Sequence, residues 1–170
     1  MQLGSDEELS AERNRTFASL ARDSLFKEGE MAYESESFEC ALTSFLDYYD
    51  LYGERGSARD MQNIDLVVYN VAQAYSKLGR TDESNQYFEL LLARFPESSQ
   101  AVDTFWRMAS NYERVLEIEK AVGYYEDLLT YHPKDEGSAD ALANAAFLKT
   151  GLKRFGDAAN SFERYHDNYT

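Results

Sequence analysis

At 170 residues, with 31 Asp+Glu against 17 Lys+Arg and a net charge of −14, the chain has room for about one domain. That acid excess excludes a phosphate-gripping surface, which needs a basic footprint, and it disfavours an anionic membrane. Hydrophobic residues at 44% and aromatics at 14% are too many for a disordered chain, while one Cys and two His (His132, His166) argue against an internal disulfide, a metal centre or His-based catalysis.

The opening residues, Met1 to Glu8, are polar and acidic rather than basic and then apolar, so no secretory leader is read there. No apolar run approaches the length of a membrane span. Scarce Pro and Gly with abundant Glu, Ala and Leu predict helices, and no stretch alternates with period two, so no sheet is expected. The first predicted helix covers roughly residues 5–20. Ser5 and Glu8 are spaced as a capping box, Asp6 and Glu7 suit the helix dipole, and apolar residues recur at helical spacing from Leu9 through Phe17 and Leu20 to Leu25. Helical pairs follow over about 22–55, 65–98, 102–135 and 139–170, giving about nine helices in all. A polar, Gly-containing stretch, Tyr52 to Asp60, separates the first two pairs. Thr81 with Asp82 and Glu83 opens the second helix of the second pair, and Ser98 and Ser138 read as caps for the first helices of the third and fourth.

The pairs repeat. Tyr87 to Pro96 and Tyr124 to Pro133 both carry an aromatic-rich helix that ends on an aromatic or His before Pro, and the two Pro lie 37 residues apart. Ser84, Ala121 and Ala158 keep the same step of 37, whereas Ala41 lies 43 before Ser84, which places a six-residue insertion in the Tyr52–Asp60 stretch.

These residues resemble the tetratricopeptide repeat, a helix–turn–helix unit with small and large apolar residues at fixed places. The second unit supplies Val68, Val71, Ala72, Tyr75, Gly79, Ser84, Phe88 and Pro96, and the third Phe105, Met108, Ala109, Tyr112, Ala121, Tyr125 and Pro133. The first supplies Leu25, Gly29, Phe38, Ala41 and Phe45 but departs at Glu28 and Ala32. The fourth supplies Leu142, Ala145, Ala146, Phe155, Ala158 and Phe162 but carries Lys149 where Tyr is usual. The resemblance implies an all-α, right-handed α-solenoid in one domain, residues 1–170. Gly29, Ala72, Ala109 and Ala146 would sit where the first helix of each pair closely approaches Ala41, Ser84, Ala121 and Ala158 on the second. Such arrays want polar caps. The N-terminal helix can serve as one, and the sequence stops at Thr170 in register with Pro96 and Pro133, so the last helix is expected to lie in a longer array or to self-associate.

Catalysis finds little support. The many carboxylates, Asp47, Asp50, Glu113, Glu117, Glu119 and Asp127 among them, read as a solvated helix face. Cys40 reads as a semi-buried small residue, and His132 as a helix-end partner for the last carbonyls of its own helix. No phosphate loop, dinucleotide turn or zinc-spaced motif is present, so no catalytic residue, metal or cofactor is assigned.

The resemblance implies that the first helix of each unit lines a concave groove that binds peptides or helices of other proteins. Its phase puts Phe26, Tyr69 and Trp106 at one groove position, with Phe147 a turn further on in the fourth unit. Lys27, Asn70, Arg107 and Asn144 come one residue later, and Gln73 and Ser110 four residues beyond Tyr69 and Trp106. Aromatics supply contact area at low entropy cost and amides can satisfy an extended main chain, so Trp106 and Arg107 stand first as an anchor pair. A phase error of one residue would instead turn Tyr69 and Trp106 into the stack. A carboxylate clamp for acidic tails is matched at Asn70 and Arg107, but Phe26, Glu30 and Asp103 replace its other members. The reading is a non-catalytic scaffold that binds a protein or peptide, with neither nucleic acid nor membrane insertion. The alternatives are a self-associating segment of a longer array and a clamp-type chaperone adaptor. The 37-residue spacing is similar to that of repeats in bacterial cell-envelope and motility proteins, which favours that setting over the cytoplasm.

Overall fold

The structure, a computed structural model, describes residues 3–53 and 63–169, and the side chains of 12–53 and 63–167. The described residues form eight helices and no strand: α1 (Leu3–Glu34), α2 (Phe38–Tyr52), α3 (Ile64–Lys77), α4 (Thr81–Arg94), α5 (Ala101–Arg114), α6 (Ile118–Tyr131), α7 (Ser138–Gly151) and α8 (Phe155–Tyr169). The sequence predicts nine. The separate N-terminal helix is instead the first part of α1, because Ala21, Arg22, Asp23 and Ser24 include neither Gly nor Pro to break it. The Ser5–Glu8 capping pair lies outside the described side chains. The Tyr52–Asp60 insertion, beyond Gly53, and Thr170 lie outside the described residues altogether.

The chain divides into two compact units, Met1–Tyr87 and Phe88–Thr170. In the first, α2 packs against α1 and α3; in the second, α6 packs against α5 and α7, and α7 against α8. Phe45, Tyr48, Ile64, Val67 and Val71 fill the first core, and Leu91, Phe105, Met108, Leu128 and Leu142 the second. The small residues lie where the pattern puts them. Ala41, Ala72, Ala109, Ala121 and Ala146 are fully buried, and Ser84 and Ala158 nearly so. Ser84 also donates its hydroxyl to the carbonyl of Ala72, 2.8 Å away, which ties α4 to α3 and satisfies a buried hydroxyl.

One turn recurs in every pair. Gly79 N–H donates to Ser76 O and Arg80 N–H to Tyr75 O. Glu36 and Ser37, Leu116 and Glu117, and Lys153 and Arg154 make the same two bonds to the ends of α1, α5 and α7. This closure of orphan carbonyls needs a left-handed residue. Gly79 (φ 73°) supplies one without strain, but Glu36 (φ 59°), Leu116 (φ 62°) and Lys153 (φ 60°) hold the same conformation with a side chain. Leu116 is 81% exposed, so its side chain gives little packing in return. Leu116→Gly is therefore expected to raise stability by about 0.5–1 kcal/mol, the relief of strain exceeding the extra freedom of the unfolded chain. A denaturation midpoint below that of the wild type would refute this.

The turns between pairs also repeat, and they correct two expected caps. Ser98 N–H donates to Phe95 O and Ala101 N–H to Ser98 O; Asp135 and Ser138 do the same 37 residues on. Gln100, not Ser98, precedes the first turn of α5, and Ser98 Oγ instead accepts the Gln100 N–H within the turn. Ser138 is the first residue of α7 rather than its cap. It is fully buried, and its hydroxyl donates back to His132 O at 2.6 Å. Thr81 likewise begins α4 as a helical residue, with Asp82 and Glu83 in its first turn as expected. Phe162, in register with the buried Phe45, Phe88 and Tyr125, is 48% exposed.

Candidate functional site

In the first unit the predicted groove residues separate. Phe26 turns inward, its ring edge-on to Phe45 (6.1 Å) and Tyr48 (5.9 Å), so it belongs to the α1–α2 interface rather than to an open face. Gly29, about one turn on, lets Phe45 press against the helix. Tyr69 and Gln73, one turn apart on α3, are half-buried, and the Gln73 amide donates to the Tyr69 hydroxyl at 2.8 Å. Asn70 lines a small cavity with Glu30, Tyr33, Glu34 and Phe45. Carboxylates beside Asn70 are the reverse of what an acidic tail requires.

The second unit gathers more. Trp106 of α5 is half-buried, with its ring edge-on to Tyr125 of α6 at 5.1 Å. Its indole lies against Gly137 at the entry to α7, where an added Cβ would come within 3.0 Å of Nε1. Tyr125 donates its hydroxyl to Glu113 at 2.7 Å, and Asn144 of α7 hydrogen-bonds the same phenol. Burial, and then the Glu113 carboxylate, push the Tyr125 phenol well above the ordinary tyrosine range. Trp106 and Asn144 thus meet through Tyr125, a residue that sequence reasoning assigned only to the core. Glu113, read as part of a solvated face, is the acceptor that holds it. Ser110 lies one turn from Trp106 on α5, and both Ser110 and Asn144 are exposed. Phe147, one turn beyond Asn144, is 73% exposed. Arg107 is exposed too, but its guanidinium pairs with Asp103 of the same helix, so it is not a bare anion receptor.

Other expectations are corrected. Cys40 is exposed, not semi-buried, since it sits on the outer side of α2 beside the inward Ala41. His132 reaches beyond its own helix: its Nε2–H donates to Pro96 O at 2.6 Å, while Phe105 stacks on Tyr131 (6.2 Å, 6°) and meets the His132 ring edge-on. The imidazole therefore joins successive turns of the second unit. Among the described residues no cluster of three His, Cys, Asp or Glu could hold a metal, and no helix is long and apolar enough to cross a membrane.

A pairing between the two helices of the second and of the third pair was also missed. Tyr75 stacks on Tyr87 (5.5 Å) and Tyr112 on Tyr124 (5.4 Å). At the same register in the fourth pair stand Lys149 and Ser161, joined by a 2.8 Å hydrogen bond. The Lys149 ammonium is buried and also pairs with Glu126 at 2.6 Å. The step of 37 from Tyr75 to Tyr112 and from Tyr87 to Tyr124 could have revealed the pairing.

Residues 67–98 and 103–135 match the family model of the tetratricopeptide repeat. No curated protein matches the chain. Among solved structures, a crystal structure of MamA is 13% identical and aligns over 98% of this chain and 94% of its own with a TM-score of 0.54. A second, of MamA MSR-1, is 16% identical over 86% and 75%, with a TM-score of 0.50. That of BtubC from P. vanneervenii is 18% identical over 95% and 70%, with a TM-score of 0.57. At these identities the likeness is one of fold. The second and third helical pairs carry the pattern of small and large residues of the tetratricopeptide repeat, match its sequence model and fold as helix–turn–helix units, so these two pairs are tetratricopeptide repeats.

Proposed function

We propose that this chain is a non-catalytic protein-interaction scaffold and that the face of α5 and α7 in its second unit receives a peptide or a partner's helix. The observation that carries this reading is the environment of Phe147: a large apolar ring 73% exposed, one turn from the exposed amide of Asn144. Asn144 is held by Tyr125, against which the half-exposed Trp106 rests. An aromatic anchor beside amide and hydroxyl groups suits a main chain that must be both desolvated and hydrogen-bonded. Arg107, engaged with Asp103, serves better as rim than as clamp, and the carboxylates around Asn70 weigh against an acidic-tail adaptor. The 37-residue step supports a place in a larger cell-envelope or motility assembly.

Phe147→Ala separates binding from folding. It is expected to leave the melting midpoint unchanged, because the ring is mostly in water, and to weaken partner binding by about tenfold or more, as for an interface anchor. Trp106→Ala should weaken binding too, with a modest loss of stability; a loss of roughly 3–5 kcal/mol would mark Trp106 as core instead. Proteins captured by the wild type and by Phe147→Ala, identified by mass spectrometry, provide the comparison. Identical sets in equal amounts would overturn the reading. A second reading has its own observation: Phe155 (63%) and Phe162 (48%) leave an exposed apolar face on α8 that a second copy could cover. A concentration-independent monomer mass by light scattering would dismiss it.

A further inference from the structure

On the second unit, α4, α5 and α6 together present a further surface. Glu89, Tyr112, Lys120, Tyr124 and Asp127 line one depression of about 320 Å3. Glu89, Tyr124 and Asp127 also line an adjoining one of about 260 Å3, together with Phe105 and Tyr131. Tyr124 is therefore a wall shared by both, flanked by two carboxylates. On one side its ring lies nearly parallel to Tyr112 (8°, 5.4 Å); on the other stands the stacked pair of Phe105 and Tyr131.

The charges around this wall are unevenly answered. Glu89 accepts the Tyr112 hydroxyl at 3.0 Å. Lys120 lays its ammonium 4.9 Å from the centre of the Tyr112 ring and pairs with Glu117, the residue just before α6, so a cation already rests on one ring of this surface. Asp127 has no cationic partner among the described residues, and loss of water and then the neighbouring Glu126 raise its pKa. A cation placed at Asp127 would offset both effects by direct attraction and gain the electron-rich Tyr124 face.

We propose that the Tyr124 wall receives an arginine or lysine side chain from a basic segment of a partner protein, its charge lying between the Glu89 and Asp127 carboxylates. Charge complementarity selects the occupant: the chain carries −14 overall, and the depression joins two carboxylates to aromatic faces. A guanidinium gains most here, because it can stack on a ring while donating to carboxylates on either side. This site stands apart from the α5–α7 face and does not depend on it.

The test titrates the full chain with an acetylated, amidated Gly-Arg-Gly-Arg-Gly peptide at low ionic strength, following the tyrosine ring signals by NMR. The same peptide with citrulline in place of arginine keeps the shape without the charge. The arginine peptide is expected to shift the Tyr124 signals and the citrulline peptide to leave them. Asp127→Asn is expected to weaken binding by about tenfold, and Asp140→Asn, an exposed carboxylate of α7, by less than about twofold. Tyr124→Leu should weaken it also, and the melting curve of each variant shows that it has folded. Equal losses from Asp127→Asn and Asp140→Asn would mean attraction to net charge alone. That result, equal response to both peptides, or no shift at millimolar peptide would each overturn the proposal.

Discussion

Glu126→Ala is expected to destabilise the second unit by about 3–5 kcal/mol, whereas Lys149→Met should change its stability by less than about 1 kcal/mol. The two residues form one ion pair at 2.6 Å, yet their positions are unequal: the Lys149 side chain is 6% exposed and that of Glu126 45%. Removing the lysine leaves a carboxylate that water can reach, and methionine fills the vacated space with apolar atoms. Removing the glutamate leaves a buried ammonium with only the Ser161 hydroxyl, 2.8 Å away, as partner. A hydroxyl cannot replace a countercharge where solvent is excluded, so the cost falls almost entirely on one variant. Urea unfolding of both variants measures the difference. If Glu126→Ala unfolds within about 1 kcal/mol of the wild type, Lys149 must escape to water without penalty and the explanation fails.

Gly29→Ala is expected to cost about 1–3 kcal/mol, against the usual trend. In a helix interior, replacing Gly by Ala normally stabilises by about 1 kcal/mol. Here the new Cβ would fall 2.6, 2.8 and 2.9 Å from three atoms of the Phe45 ring. Phe45 is fully buried and held edge-on by Phe26, so the ring cannot withdraw without moving α2. Gly123→Ala in α6 is the control, since nothing lies within 4 Å of its added Cβ. It should show the ordinary gain of propensity. If both variants were stabilised, the α1–α2 contact would be looser than described.

The same pair of residues shows how far the sequence could be read. A small residue at Gly29 and a large one at Phe45 follow from the register of the repeats, because each helix pair must close on a side chain that leaves room. Phe26 packs against Phe45 and Tyr48 for a related reason. The register puts it level with Tyr69 and Trp106, but α1 continues unbroken from Leu3 to Glu34, and the Gly29 gap draws the neighbouring rings of α1 and α2 together. Trp106, at the equivalent place, rests edge-on against Tyr125 and against Gly137 at the entry to α7. Helical periodicity fixes the angle of a residue around its axis, but not how deep the neighbouring element lies at that angle.

By itself the sequence determined the helical class, the step of 37, the small residues at the crossings and the absence of any cysteine, histidine or glycine pattern for chemistry. These follow from local rules of propensity and spacing, which act within one pair and repeat. Tertiary structure alone decided that Glu36, Leu116 and Lys153 adopt the conformation that Gly79 adopts freely, since the closure of each turn outweighs the local preference of its residue. It also decided that Lys149 is buried with Glu126, and that Tyr124 stands between two carboxylates. Lys149 and Glu126, like Tyr124 and Glu89, come from different helices, and only packing sets the distance between them.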